Sequence, residues 1–508
     1  MLQHAKVKIN YITIFVLLIA ATNRIMFVIH PFWGLEYEDS YIFSSVSRAI
    51  NINYDFGQDG LYTKYEIFGS FISGSATNTI SGHFIFFPLL LSLFNRIFGF
   101  YSKNVLVVNS LLSLVNVYYS LKIFRLLNDS KSSQLIFGLL FSTVPFLCIY
   151  NSSGLSETFS SVFVIISVYY AFKTKHENYR NKASVIAYVF FICISIFIKR
   201  DNLVLIAIPV LEIIVAIFER KTREFITKLF YLLFLIIILI SISNFFFDIK
   251  RTVDDEMADI GQAPFALNFF KIIFPVFLKS LLKLNFFGIS GIIFFISLIF
   301  FRHLDSYLTI LIIICFGYFA VYSIHYRSYY MVHDNFTPST IDTFRYFTNF
   351  FSILSIFSFH LISVGLKHLS LTRDKLYKWG LFIAVSLNIY WTTILREDLS
   401  NDEYEERLLP IKNTLQRIHK DDIIITDRPI LFQLFGPKEL FVIDITMIDD
   451  TKKLKIGDLA KSKKVYVMKD EEKDTRYSNK NKFLNESNLV LIEKLSSHYN
   501  LMELQKSE

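Results

Sequence analysis

Cysteine is scarce in this chain. Its three thiols, Cys148, Cys193 and Cys315, all lie inside apolar runs, so they build neither a disulfide framework nor a thiolate metal site. Charge is scarce as well: Asp, Glu, Lys and Arg make up 19% of the 508 residues, against about a quarter in an ordinary soluble domain. There is no Walker loop and no glycine-rich nucleotide turn, which argues against a pump or a nucleotide-sugar enzyme. No clear internal repeat is present, although transporters are commonly built from such repeats. The first apolar segment, flanked by Lys6 and Lys8, has no small-residue cleavage site. It reads as a retained helix and not as a removed signal peptide.

What the chain has in abundance is apolar surface. Hydrophobic residues account for 53% of it, with 55 phenylalanines. Runs such as YITIFVLLIAA, LFYLLFLIIILISIS and LTILIIICFGYFAVY approach the ~20 apolar residues that cross a bilayer. One soluble core could not hide so many, so the expectation is a mainly α, polytopic transmembrane helical bundle. Spans are predicted near 11–29, 103–122, 133–150, 155–172, 183–198, 203–218, 229–246, 285–301, 306–324, 347–366 and 379–395.

The net charge of +8 does not require nucleic acid, because the basic residues fall in short loops between the apolar runs. KIFRLLNDSK, KTKHENYRNK, ERKTREFITK and KHLSLTRDKLYK are all basic, whereas NSSG at 151–154 has neither Lys nor Arg. The positive-inside rule then sets the N-terminus in the cytoplasm, and an odd number of spans carries the C-terminus outside. Two apolar stretches are laid in the interface: HFIFFPLLLSLFNRIFG in the long first outer loop, about 30–102, and FKIIFPVFLKSLLKL at 270–284. Either of them spanning would invert every later loop.

Near residue 400 the composition changes. DDIIITD, KELFVID and KKVYVMKD are short β-branched runs bounded by charge, interleaved with helical patterns such as YEERLLPIKNTLQRI. The expected organisation is a membrane module over 1–399 and a small extracytoplasmic α/β domain over 400–508. Asn335 and Asn485 open glycosylation sequons, a pattern common by chance.

Charge at the ends of spans is costly near hydrocarbon and tends to mark function. In this topology Glu36, Glu38 and Asp39 follow the first span outside and Glu157 opens the fourth. Lys199, Arg200 and Asp201 join the fifth to the sixth, and Arg345 and Tyr346 precede the tenth. Taken singly, each also reads as an interfacial anchor. As a set they place a carboxylate base and phosphate-gripping cations on one face.

EDSYIFSSVSRAI, at 38–50, resembles the acidic pair, small residue, Tyr and helix that follow the first span in GT-C superfamily glycosyltransferases, typified by protein O-mannosyltransferases and aminoarabinose transferases. Further likenesses follow in order along most of the chain: SGHFIFFPLLLSLFNRIFG, SSGLSETFSSVF, IKRDNLVLIAIPV and DTFRYFTNF. The resemblance implies a GT-C bundle of eleven to thirteen helices, with interfacial helices in the first outer loop. It also implies an enzyme that uses a polyprenyl-phosphate sugar donor reached from the bilayer, and a glycan, lipid or protein acceptor in the cell envelope. One first-loop acid serves as general base and the sugar inverts. Asp39 and Glu38 are the catalytic candidates, with Asp39 slightly ahead for its shorter side chain. Arg345 and Arg200, then Lys199, are the candidates for phosphate contact, because a guanidinium grips phosphate oxygens bidentately. Tyr41, Glu157 and Tyr346 complete the expected substrate-binding set with His83, which reads either as a phosphate contact or as an interfacial anchor. No cofactor is expected and a divalent metal is not favoured. The membrane expected is a prokaryotic plasma membrane. A lipid-linked glycan flippase and a glycan polymerase are the rival readings.

Overall fold

A computed structural model describes residues 10–29, 86–99, 104–151, 156–218, 220, 228–238, 267–283, 287–303, 305–324, 347–368, 374–400, 409–419, 422–426, 441–444, 464–470, 489–494 and 499–504. In chain order the helices are α1 (Tyr11–Ile29), α2 (Phe86–Phe98), α3 (Asn104–Leu127), α4 (Lys131–Ser142), α5 (Pro145–Tyr150), α6 (Ser156–His176), α7 (Lys182–Ile198) and α8 (Ala207–Phe218). They continue with α9 (Lys228–Ile238), α10 (Leu267–Leu281), α11 (Ile289–Ser297), α12 (Ser306–Ile324), α13 (Thr348–His368), α14 (Asp374–Ser400) and α15 (Leu409–Arg417). Two 3₁₀ segments, Arg200–Ile206 and Leu298–His303, lead into α8 and continue α11. Contacts divide the chain into two units, residues 1–31 with 106–398 and residues 32–105 with 399–508.

In the larger unit the helices fall where the apolar runs fall. Four of the described helices are long and apolar enough to cross a membrane: Asn104–Leu127, Asp201–Phe218, Ser306–Ile324 and Thr348–Gly365. The chain is an integral membrane protein. Ile186, Phe190, Ile214, Phe218, Phe316 and Phe382 remain exposed, as expected of faces turned to lipid. Lipid is as apolar as leucine, so the interior is held by close packing and interhelical hydrogen bonds. Asn116 on α3 donates to Ser161 Oγ on α6 (2.8 Å), and Ser161 Oγ lies 3.4 Å from Ser352 Oγ on α13. α13 packs against α4, α5, α6, α11 and α12 and is the most enclosed of the four long helices. Phe277, Phe287, Phe319, Phe347, Phe350 and Phe351 form one aromatic cluster around its first turn.

The predicted span at 133–150 is a broken helix, α4 then α5. Pro145 has no N–H to donate, so the ladder stops at Ser142 and restarts at Pro145. The Ser142 carbonyl freed by the break accepts from Arg24 Nη1 (3.0 Å) and from Cys148 Sγ (3.2 Å). Arg24, 1% exposed, also donates to Ser113 Oγ and Ala20 O. An arginine buried in α1 therefore closes the end of α4.

In the smaller unit, five strands form a sheet of order β2-β1-β3-β5-β4: β1 (Ile423–Thr426), β2 (Phe441–Asp444), β3 (Val465–Asp470), β4 (Leu489–Lys494) and β5 (Tyr499–Leu504). β1 pairs in parallel with both β2 and β3, and β5 runs antiparallel to β3 and β4. Every residue of β1 is buried, as a parallel strand covered on both faces requires. β1, β2 and β3 coincide with the three β-branched runs; β4 and β5 lie beyond them.

Candidate functional site

Four helix ends of the larger unit meet at one place: the start of α6, the end of α7 with the 3₁₀ segment Arg200–Ile206, the end of α12 and the start of α13. Glu157 stands in the first turn of α6, where the unpaired N–H groups favour a negative charge. Lys199 is the C-cap of α7, with extended backbone at φ −152° and ψ 125°. A 3₁₀ run of seven residues is unusually long and marks a sequence under local constraint. Gly317 on α12 lets that run approach: a Cβ there would come within 2.5 Å of Val204 Cγ1.

Lys199 Nζ lies 3.8 Å from Glu157 Oε1 and 3.8 Å from Asp201 Oδ2. It also sits 5.7 Å from the centre of the Tyr322 ring. Glu157 and Lys199 are both buried, whereas the Asp201 side chain keeps 27% of its exposure. One ammonium is therefore shared by two carboxylates, one enclosed and one facing outward.

Beneath this charged layer is a neutral polar one. Asn202 Nδ2 donates to Ser160 Oγ (3.0 Å) and to the Ser195 carbonyl (2.7 Å). Asn202 Oδ1 accepts from Tyr318 Oη (2.7 Å) and from Asn349 Nδ2 (3.1 Å). Asn349 Nδ2 also reaches Ser160 Oγ (3.3 Å). All five residues are buried, so each of these bonds replaces water that cannot reach the group.

Of the residues expected from sequence, the structure brings Glu157 and Lys199 together. Arg200 opens the 3₁₀ segment beside them; its side chain lies outside the described residues. Glu38, Asp39, Tyr41, His83, Arg345 and Tyr346 also lie outside them. Sequence reasoning missed Asn202, Ser160, Tyr318, Tyr322 and Asn349 as members of the site. No sequence signal marks them, because neutral Ser, Asn and Tyr recur throughout these helices. Among the described residues no group of three or more His, Cys, Asp or Glu could hold a metal ion.

No family model and no curated protein matches the sequence. Solved structures match it along nearly all of its length. The crystal structure of ArnT from Cupriavidus metallidurans bound to undecaprenyl phosphate superposes with a TM-score of 0.59 at 10% identity, covering 97% of each chain. The apo form of the same protein gives 0.60 at 10% identity, over 96% of this chain and 97% of that one. The chain has the GT-C fold. An oligosaccharyltransferase from Archaeoglobus fulgidus, tethered to an acceptor peptide containing the NVT sequon, is similar at a TM-score of 0.53 and 9% identity. That likeness covers 98% of this chain and 74% of that one. At these identities the likeness is one of fold, as the resemblance of EDSYIFSSVSRAI and its companions implied.

Proposed function

We propose that this GT-C chain is an inverting glycosyltransferase that moves a sugar from a polyprenyl-phosphate donor to an extracytoplasmic acceptor. The observation that carries the reading is the match in fold, over 97% of both chains, to a protein that binds undecaprenyl phosphate. The gathering of Glu157, Lys199 and Asp201 at one end of the bundle supports it, because the chemistry needs charge there. A first-loop carboxylate, Asp39 or Glu38, takes the proton of an acceptor hydroxyl. The acceptor oxygen attacks the anomeric carbon as the bond from that carbon to the phosphate oxygen breaks, and polyprenyl phosphate leaves with the electron pair. Displacement from the opposite face inverts the sugar with no covalent intermediate. Arg345 and Arg200 carry the charge of the leaving phosphate. The charge of Lys199 is matched by Glu157 and Asp201, so we assign it to holding the enclosed Glu157 and orienting the partly exposed Asp201 toward a sugar hydroxyl.

The test is transfer of label from polyprenyl phosphosugars in liposomes bearing the protein, comparing Asp39→Asn and Glu38→Gln. Removing a general base is expected to slow release about 10²–10⁴-fold in one variant and far less in the other. Full release by both variants overturns the mechanism. Label that crosses the membrane still joined to its lipid identifies a flippase instead, and label built into a lipid-linked polymer identifies a polymerase.

A further inference from the structure

Below the charged groups lies a polar hub. On α6, Ser160 follows Glu157 by three positions, about 4.5 Å along the helix axis. Ser160, Tyr318 and Asn349 all converge on Asn202.

The side chain of Asn202 is saturated. An amide offers two N–H donors and two acceptor lone pairs. Here the donors go to Ser160 Oγ and Ser195 O, and the acceptor pairs go to Tyr318 and Asn349. This census fixes which way the amide faces, since the Ser195 carbonyl can only accept. The Ser195 carbonyl also takes the backbone N–H of Lys199 at 3.1 Å, and the Asn202 N–H returns to the Lys199 carbonyl at 3.0 Å. Asn202 therefore grips the Lys199–Arg200–Asp201 turn from both sides while binding α6, α12 and α13.

We propose that Asn202 is a positioning residue: its amide sets the Lys199–Arg200–Asp201 turn so that the Arg200 cation meets the phosphate of a polyprenyl-phosphate ligand. The inference rests on the donor class proposed above and adds the element that holds the cation in place. Asn202 touches no substrate; it acts through Arg200.

The experiment is a double-mutant cycle on binding of undecaprenyl phosphate to the full-length protein in nanodiscs. Asn202→Ala is expected to weaken binding about tenfold, the size of one charge-assisted hydrogen bond to the phosphate lost from Arg200. In an Arg200→Ala background the same change is expected to have no further effect, because the group through which it acts is gone. Tyr318→Phe removes a single hydroxyl from the hub and carries the same cycle if Asn202→Ala does not fold. A hub that merely braces the fold gives equal losses in both backgrounds, and that result, or no loss in either, overturns the positioning role. Failure of the unmodified protein to bind undecaprenyl phosphate overturns the donor class itself, an outcome distinct from the other two.

Discussion

Lys199 sits between Glu157 and Asp201 with little solvent around it. Removing one member of a buried ion pair leaves its partner's charge uncompensated, a larger loss than the pair's own net value. Lys199→Met is expected to destabilise the protein by about 3 kcal/mol, read as a lower midpoint in a denaturing-detergent titration. Adding Glu157→Gln to that variant is expected to restore part of the loss. No change in the single variant, or a further loss in the double, contradicts the pairing. Glu157 and Lys199 were legible in the sequence because a charge at the end of an apolar run is costly and stands out. Asn202, Ser160, Tyr318 and Asn349 were not, because neutral Ser, Asn and Tyr recur throughout these helices. Only the fold reveals which of them meet. Arg24 was missed for a related reason: one of its partners is the Ser142 carbonyl freed by a helix break, and sequence does not print carbonyls.

Most helices of the larger unit were legible because they follow apolar runs, four of those described being long enough to cross a membrane. Their interruptions were less so: the stretch LIFGLLFSTVPFLCIY stays apolar through the break between α4 and α5, and composition hides what Pro145 does. Helix α12 shows how a single residue sets a boundary. Asp305 Oδ1 accepts from the N–H groups of Tyr307 (2.9 Å) and Leu308 (2.7 Å), an N-cap that satisfies two orphan donors. Asp305 Oδ2 lies 3.8 Å from Nε2 of buried His360 on α13. Burial pushes the Asp305 carboxyl up, but His360 and those two N–H groups outweigh it and hold the group below its ordinary value. A lowered folded-state pKa stabilises the protein above the unfolded value of about 3.9, and the contribution fades as pH falls through the lower folded value. Asp305→Ala is expected to cost about 1 kcal/mol at neutral pH, with the difference from the unmodified protein closing below about pH 4. Unfolding midpoints measured from pH 3 to 7 check this, and a difference that stays constant across the range contradicts it.

Two charged layers bound the larger unit. Glu157 and Lys199 mark one end of the α6–α7 hairpin. Lys175 marks the other, where its Nζ reaches the Ser306 carbonyl at 3.4 Å and the Tyr307 ring at 4.8 Å. Eighteen residues of α6 separate Glu157 from Lys175, about 27 Å of helix, close to the ~30 Å of a hydrocarbon core. Lys175 and the candidate site therefore lie at opposite ends of α6. The whole account depends on the first-loop carboxylates sharing a face with the arginines. The direct measurement replaces the three buried cysteines with serine, installs single cysteines as Asp39→Cys, Arg200→Cys and Arg345→Cys, and labels intact cells with a membrane-impermeant maleimide. All three positions are expected to label from outside; protection of residue 39 while residues 200 and 345 react, or the reverse, contradicts the account.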